Sequence, residues 1–234
     1  MPLPDKATVV ITGAFGALGT ALARRFAARG ARLGLLDRAS VPPALAQEFA
    51  GGHMLVGGVD LTSAEAAQAA MRSVASPAGA IHVLANIAGG FRSETLEQGS
   101  VATWELMFAM NLKTAVVACQ AALPYLIASG AGRIVNVGAG AATRAGAGMG
   151  AYTASKAGVE RLTEALAAEL RDRNITVNAI LPGTIDTPAN RAAMPKADVT
   201  RWVQPEAVAD VVVFLASEAA RAVNGAAIRV FGRG

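Results

Sequence analysis

Cysteine is nearly absent. The single Cys119 lies in the apolar segment AVVACQAAL, so an intramolecular disulfide and a multi-cysteine metal site are both excluded, and a buried thiol in a reducing compartment is expected. Charged residues make up only 16%, and the 21 basic and 17 acidic side chains are scattered singly or in short pairs such as Arg24-Arg25. A net charge of +4 without basic runs describes a solvated surface, and no nucleic-acid partner is expected. The only two histidines, His53 and His82, stand at the starts of predicted strands with no cluster of ligands beside them, so no metal is expected. The opening MPLPDK has no cationic region before an apolar core, and the run after it is interrupted by Thr12 and Gly13. Neither a signal peptide nor a membrane span is expected there, and a cytoplasmic protein follows by elimination. Linkers and fixed-period repeats are also missing, which points to one domain over 1–234, and 53% hydrophobic residues suffice for its core.

What is present is an alternation of short β-rich runs with longer segments of helical period. Strands are read at 7–12, 32–37, 53–58, 81–86, 133–138, 175–181 and 226–231, and helices near 17–29, 42–50, 63–75, 101–128, 151–171 and 205–217. Most strands are apolar on both faces, as a parallel sheet covered on both sides requires. The expectation is an α/β fold, a doubly wound parallel sheet of seven strands with helices on both faces. Thr62 and Glu65 read as a capping box, Gly30 as a helix stop and Pro205 as a first-turn proline. The segment 187–202 has two prolines and no clean period, so it reads as an excursion above the sheet, a substrate loop or lid.

Three patterns carry chemistry. The first strand runs through TGAFGALG into a helix, the context of a glycine-rich dinucleotide loop. Gly13 permits the turn, and Ala17 and Gly19 are small enough for a pyrophosphate to approach the helix N-terminus. Asp37 ends the second strand, where a carboxylate can accept from an adenosine ribose and repel a 2′-phosphate; this favours NAD over NADP, while Arg38 beside it could pair with a phosphate. Tyr152 and Lys156, in AYTASKAG, share one helix face at i, i+4. An ammonium there should lower the phenol pKa and let the tyrosine exchange a proton with an alcohol or carbonyl oxygen while hydride moves on carbon.

With TGAFGALG, Asp60 in VDL, NIAG at 86–89, Asn111 in MNLK, YTASK at 152–156 and LPGTIDT at 181–187, the chain resembles the short-chain dehydrogenase/reductase family over essentially its whole length. The resemblance implies a Rossmann-type domain with Tyr152 as acid/base, Lys156 lowering its pKa and holding the nicotinamide ribose, and Asn111 in a proton relay. It also implies cofactor contacts from Gly13, Phe15, Ala17, Leu18 and Gly19 in the loop. Asp60 and Leu61 would meet adenine, Asn86, Ala88 and Gly89 would back the adenosine side, and Pro182, Gly183, Thr184 and Thr187 would cover the nicotinamide end. Two positions depart from the family pattern. Its middle loop glycine is Ala17, and its usual catalytic serine, about thirteen residues before the tyrosine, is Ala139, with Thr143 the nearest upstream hydroxyl but out of register. The missing serine, the AGG after the fourth strand, the run through GMGAY and the segment LPGTIDTPANRAAMPKADVTRW are similar to quinonoid dihydropteridine reductase within the family.

The expected function is an NAD-dependent oxidoreductase of a small carbonyl, alcohol or quinonoid, dihydropteridine-like substrate. A catalytically weak dinucleotide-binding or redox-sensing module is the alternative, because of Ala139. Phe91, Trp104, Met194 and Trp202 are candidate substrate walls, and Met149 reads as filler. Helices 101–128 and 151–171 are apolar on more than one face, and with the resemblance they imply a homodimer or homotetramer.

Overall fold

The computed structural model describes residues 6–76 and 78–233, and the first five residues, on which much of the N-terminal expectation rests, lie outside them. Seven strands form one parallel sheet: β1 (Thr8–Thr12), β2 (Arg32–Leu36), β3 (Met54–Val56), β4 (Val83–Asn86), β5 (Arg133–Val137), β6 (Thr176–Pro182) and β7 (Ala227–Val230). Their spatial order is β3-β2-β1-β4-β5-β6-β7, with Ile11 of β1 opposite Leu35 of β2 on one side and Ala85 of β4 on the other. The order reverses between β1 and β4, and in such sheets the crevice at the carboxyl ends of those two strands receives the ligand.

Side-chain alternation divides the core. Val9 and Ile11 join Leu22 and Phe26 of α1 (Ala17–Ala27) and Val208 and Val212 of α8 (Pro205–Leu215) on one face. Between them, Val10 points the other way, to Met71 and Val74 of α3 (Ala64–Ala75) and Ala118, Ala122 and Leu126 of α5 (Thr114–Ala128). Full burial of each large apolar side chain contributes about 1.5–3 kcal/mol. The short α2 (Pro43–Glu48) adds Leu45 to the first face, and α6 (Gly150–Leu170) adds Ala167 and Leu170 to the second. Gly30, at φ 75°, ends α1 with its N–H on the Ala27 carbonyl.

Three local features differ from expectation. Residues 101–128 are not one α-helix: α4 (Val101–Met107) passes into α5 through a π-helical turn at Phe108–Lys113. No glycine or proline marks this turn in the sequence, and π turns are frequent at functional sites. Val101–Ala128 is long and apolar enough to cross a membrane by length and composition, but α5 spends that hydrophobicity on the sheet, with Ala118, Ala122 and Leu126 fully buried. The excursion contains a helix, α7 (Pro188–Ala193), which buries no residue and so leaves no apolar period to read. Local bonds hold it instead: the Thr187 hydroxyl accepts from Asn190 N–H and the Arg191 guanidinium grips Asp186. The cap of α3 is Ser63, accepting from Ala66 N–H, while Thr62 donates to Asp60.

Both histidines serve the sheet. His82 Nδ1 accepts from the Thr8 N–H and His53 Nδ1 from the Leu33 N–H, and partial burial lowers the pKa of each, so they act as neutral acceptors.

Candidate active site

The loop after β1 and the chain after β4 meet in backbone contact at the switch point. The Thr12 hydroxyl oxygen accepts from the N–H groups of Ile87 and Ala88, which draws the two strand ends together. Gly13, at φ 62°, has no room for a side chain, since a Cβ would stand 2.8 Å from the Ala88 backbone. A Cβ on Gly19 would stand 2.3 Å from the Gly13 carbonyl oxygen, so α1 starts pressed against the loop. The first intrahelical bond joins Thr20 N–H to the Gly16 carbonyl, and the N–H groups of Ala17, Leu18 and Gly19 precede it. These amides and the helix dipole suit a pyrophosphate. Ala17 is exposed, and its methyl is spared the crowding that forbids one at Gly19. Phe15 and Leu18 turn their side chains to the core and leave backbone at the groove.

Asp37 reaches into this loop. One carboxylate oxygen accepts from Phe15 N–H and the other from Ala39 N–H, each at 2.9 Å, and a carboxylate retains further lone pairs for ribose hydroxyls. Asp60 is bound to its own turn by the Thr62 N–H and hydroxyl, bonds that lower its pKa, and the Leu61 side chain is buried in the core. Asn86 is buried, donates to Asn136 Oδ1 and Cys119 Sγ, and leaves its own Oδ1 without a partner. Cys119 is thereby explained as a packed thiol, with its pKa pushed up to about 12 by burial.

Tyr152, half-buried, and Lys156, buried, lie one turn apart on α6. Lys156 Nζ donates to the Val137 carbonyl at 2.7 Å, and burial pulls its pKa down to about 8. Burial also raises the phenol pKa of Tyr152, the reverse of the lowering expected from the i, i+4 spacing. The spacing placed the lysine beneath the tyrosine, but its ammonium is aimed at a carbonyl that nothing in the sequence announces.

Asn111 enters from the π turn. Its Oδ1 accepts from Gly90 N–H while its Nδ2 donates to the Gly90 carbonyl and to Ser155 Oγ. Ser155 in turn donates to the Tyr152 carbonyl, tying the turn to α6 through a residue that no sequence motif singles out. A Cβ on Gly89 would stand 2.6 Å from Asn111 Oδ1 and 3.2 Å from Lys156 Nζ, so both side chains converge over that glycine.

Residues 7–198 match the family described as short chain dehydrogenase. The chain belongs to the short-chain dehydrogenase family. It is 35% identical over 240 residues to D-threitol dehydrogenase of Mycolicibacterium smegmatis, covering 97% of this chain and 92% of that one. It is 31% identical over 234 residues to 2,5-dichloro-2,5-cyclohexadiene-1,4-diol dehydrogenase LinX of Sphingobium indicum, covering 95% and 94%. The structure of a short-chain type dehydrogenase/reductase from Mycobacterium ulcerans superposes with a TM-score of 0.90 at 26% identity, covering 100% of this chain and 90% of that chain. The protein is thus an oxidoreductase of alcohols or carbonyls with the family's α/β fold.

The segment after β5 carries alanine at 139, where the resemblance implies a serine. Ala139 is buried and in extended conformation, and the Thr143 hydroxyl donates to the Gly140 carbonyl, so it does not stand in for a serine at position 139. The Phe231 ring packs where a Cβ of Gly140 would stand and lies 3.6 Å from that of Gly183, bracing this segment and the Pro182–Gly183 turn from β7's end. Thr184 is exposed, and its carbonyl accepts from Val203 N–H; Thr187 spends its hydroxyl on α7. Asp186, between them, is held at about 2 by Arg191, with Gln204 as a further donor. Of the expected wall residues, Phe91 touches the Tyr152 ring, whereas Trp104 packs on Gly150 at the start of α6.

Proposed function

We propose that this chain is an NAD-dependent oxidoreductase in which Tyr152 gives or takes the proton. The convergence of Asn111 and Lys156 over Gly89, one helical turn from Tyr152 and beside the glycine loop, carries this reading. The loop amides, Asp37 and the cramped Gly13 and Gly19 fit a dinucleotide, which supplies or accepts hydride when bound. Pro182, Gly183 and Thr184 would line its nicotinamide end, with Asn86 and Ala88 on the adenosine side. Tyr152 is a protonated phenol through neutral pH, because burial disfavours the phenolate, and is therefore suited to donate to a substrate oxygen or nitrogen. Lys156 keeps its positive charge at pH 7, held on the Val137 carbonyl, and Asn111 fixes both the Gly89–Gly90 floor and, through Ser155, the helix that carries the phenol.

The substrate we propose is a small carbonyl, alcohol or quinonoid ring of the dihydropteridine kind. An electron-poor ring needs less polarisation than a ketone, which suits a site with alanine at 139. Relatives named for a cyclic diol and for threitol support alcohol chemistry of either shape. The same alanine favours a second reading, a weakly catalytic dinucleotide-binding or redox-sensing module.

Cofactor choice is tested on Asp37. Asp37→Ala should weaken NADH binding about tenfold or more by removing a charged acceptor, with NADPH affected less. Equal losses in separate NADH and NADPH titrations would contradict the assignment. We also propose a homodimer or homotetramer paired through α4–α5 and α6, supported by exposed Val101, Trp104 and Phe108 at i, i+3 and i+7. Light scattering should give two or four times the mass of one chain, and a monomer at micromolar concentration would overturn it.

A further inference from the structure

An exposed phenylalanine on an irregular loop is ordinarily free to move, and Phe91 is 59% exposed on the chain between β4 and α4. Here it is fixed from both sides. On the N-terminal side Gly90 forms the paired bonds with the Asn111 amide, and a Cβ at Gly90 would strike Met110 Sδ. On the C-terminal side Glu94 N–H donates to the Gly148 carbonyl, the Ser93 hydroxyl lies over Gly148, and the Glu94 carboxylate accepts from Ser100 N–H. The loop is thereby tied to the π turn at one end and to the approach of α6 at the other. Held between these ties, the Phe91 ring meets the Tyr152 ring at 4.9 Å between centroids and 82° between planes, an edge-to-face contact. That contact uses only part of the ring, and the rest stands in the open beside the phenol.

We propose that Phe91 is the substrate-selecting wall of the site, and that its open face takes a flat, unsaturated ring in preference to a saturated or open-chain molecule of the same size. The proposal rests on the reading of Tyr152 as proton donor for where the substrate lies, and names the substrate class of that site. Among the described residues, Phe91 is the aromatic side chain that meets the Tyr152 ring. Aromatic pairing beyond simple burial supports a preference of about tenfold. Leucine at 91 would keep an apolar side chain of similar bulk but lose the face. Because the position is largely exposed, the exchange removes little core packing.

The test compares binding of 2-naphthol with trans-2-decalol, which share a carbon skeleton and a hydroxyl but differ in flatness. Calorimetric titration is run with saturating NAD, so that the dinucleotide groove is filled, on the wild type, Phe91→Leu and Phe91→Trp. The wild type should bind naphthol about tenfold more tightly, Phe91→Leu should bring the two affinities together, and Phe91→Trp should restore the preference. No preference in the wild type, or an unchanged one in Phe91→Leu, overturns the proposal. This readout is independent of turnover: a failure of Tyr152 as proton donor would appear as activity surviving in Tyr152→Phe, with the naphthol preference untouched.

Discussion

Tyr152→Phe is expected to lower turnover by about 10²–10⁴-fold, the usual contribution of a positioned acid or base, while dinucleotide binding is retained. The substitution keeps the ring that packs against Phe91 and deletes only the hydroxyl. The residues proposed to bind the dinucleotide through its pyrophosphate and adenosine ribose, the 17–19 amides and Asp37, are on other elements. Steady-state rates alongside NADH titration separate the two effects. Undiminished turnover would remove the phenol from the mechanism.

Lys156→Met is expected to abolish turnover and yet leave the protein at least as stable at pH 7. Burial lowers the ammonium pKa from its ordinary 10.5 to about 8 in the folded chain. Below about pH 8 both the folded and unfolded chains carry the proton, and folding must bury the charge. Between about 8 and 10.5 only the unfolded chain holds it, so stability rises with pH across that window and levels off above it. The difference corresponds to about 3 kcal/mol of destabilisation at neutral pH. Methionine removes it and leaves the Val137 carbonyl without its donor, which costs about 1–3 kcal/mol. The net expectation is about 0–2 kcal/mol gained at pH 7, with the alkaline rise of the wild type flattened in the variant. Denaturant unfolding at pH 7, 9 and 10 measures both, and a variant less stable than wild type at pH 7 would show that the charge is well solvated. Such a gain would mark Lys156 as kept for chemistry at the expense of stability.

The sheet was legible because its strands are apolar runs whose alternation, such as Val9, Val10 and Ile11, is set by layers on both faces. Gly13 and Asp37 were legible because backbone crowding and a strand-end carboxylate leave residue-type signatures. What escaped reading are features made by backbone groups or by contacts distant in sequence. The π turn that aims Asn111 at Gly90 has no breaker residue, and α7 has caps but no buried face. Most telling is Lys156: its spacing from Tyr152 suggested a direct effect on the phenol, whereas the ammonium meets the main-chain carbonyl of Val137 across the sheet edge. Any residue has that carbonyl, so no sequence pattern could point to it. The bracing by Phe231 is equally hidden, since it joins the end of the chain to Gly140 and Gly183.

The most direct test is acceptor-dependent NADH oxidation by the purified protein against quinonoid dihydropterin, a quinone and a simple ketone, with Tyr152→Phe alongside. Turnover of at least one acceptor, lost in Tyr152→Phe, is the predicted result. Tight NADH binding with no turnover of any acceptor would contradict the catalytic account and favour the binding module that Ala139 suggests.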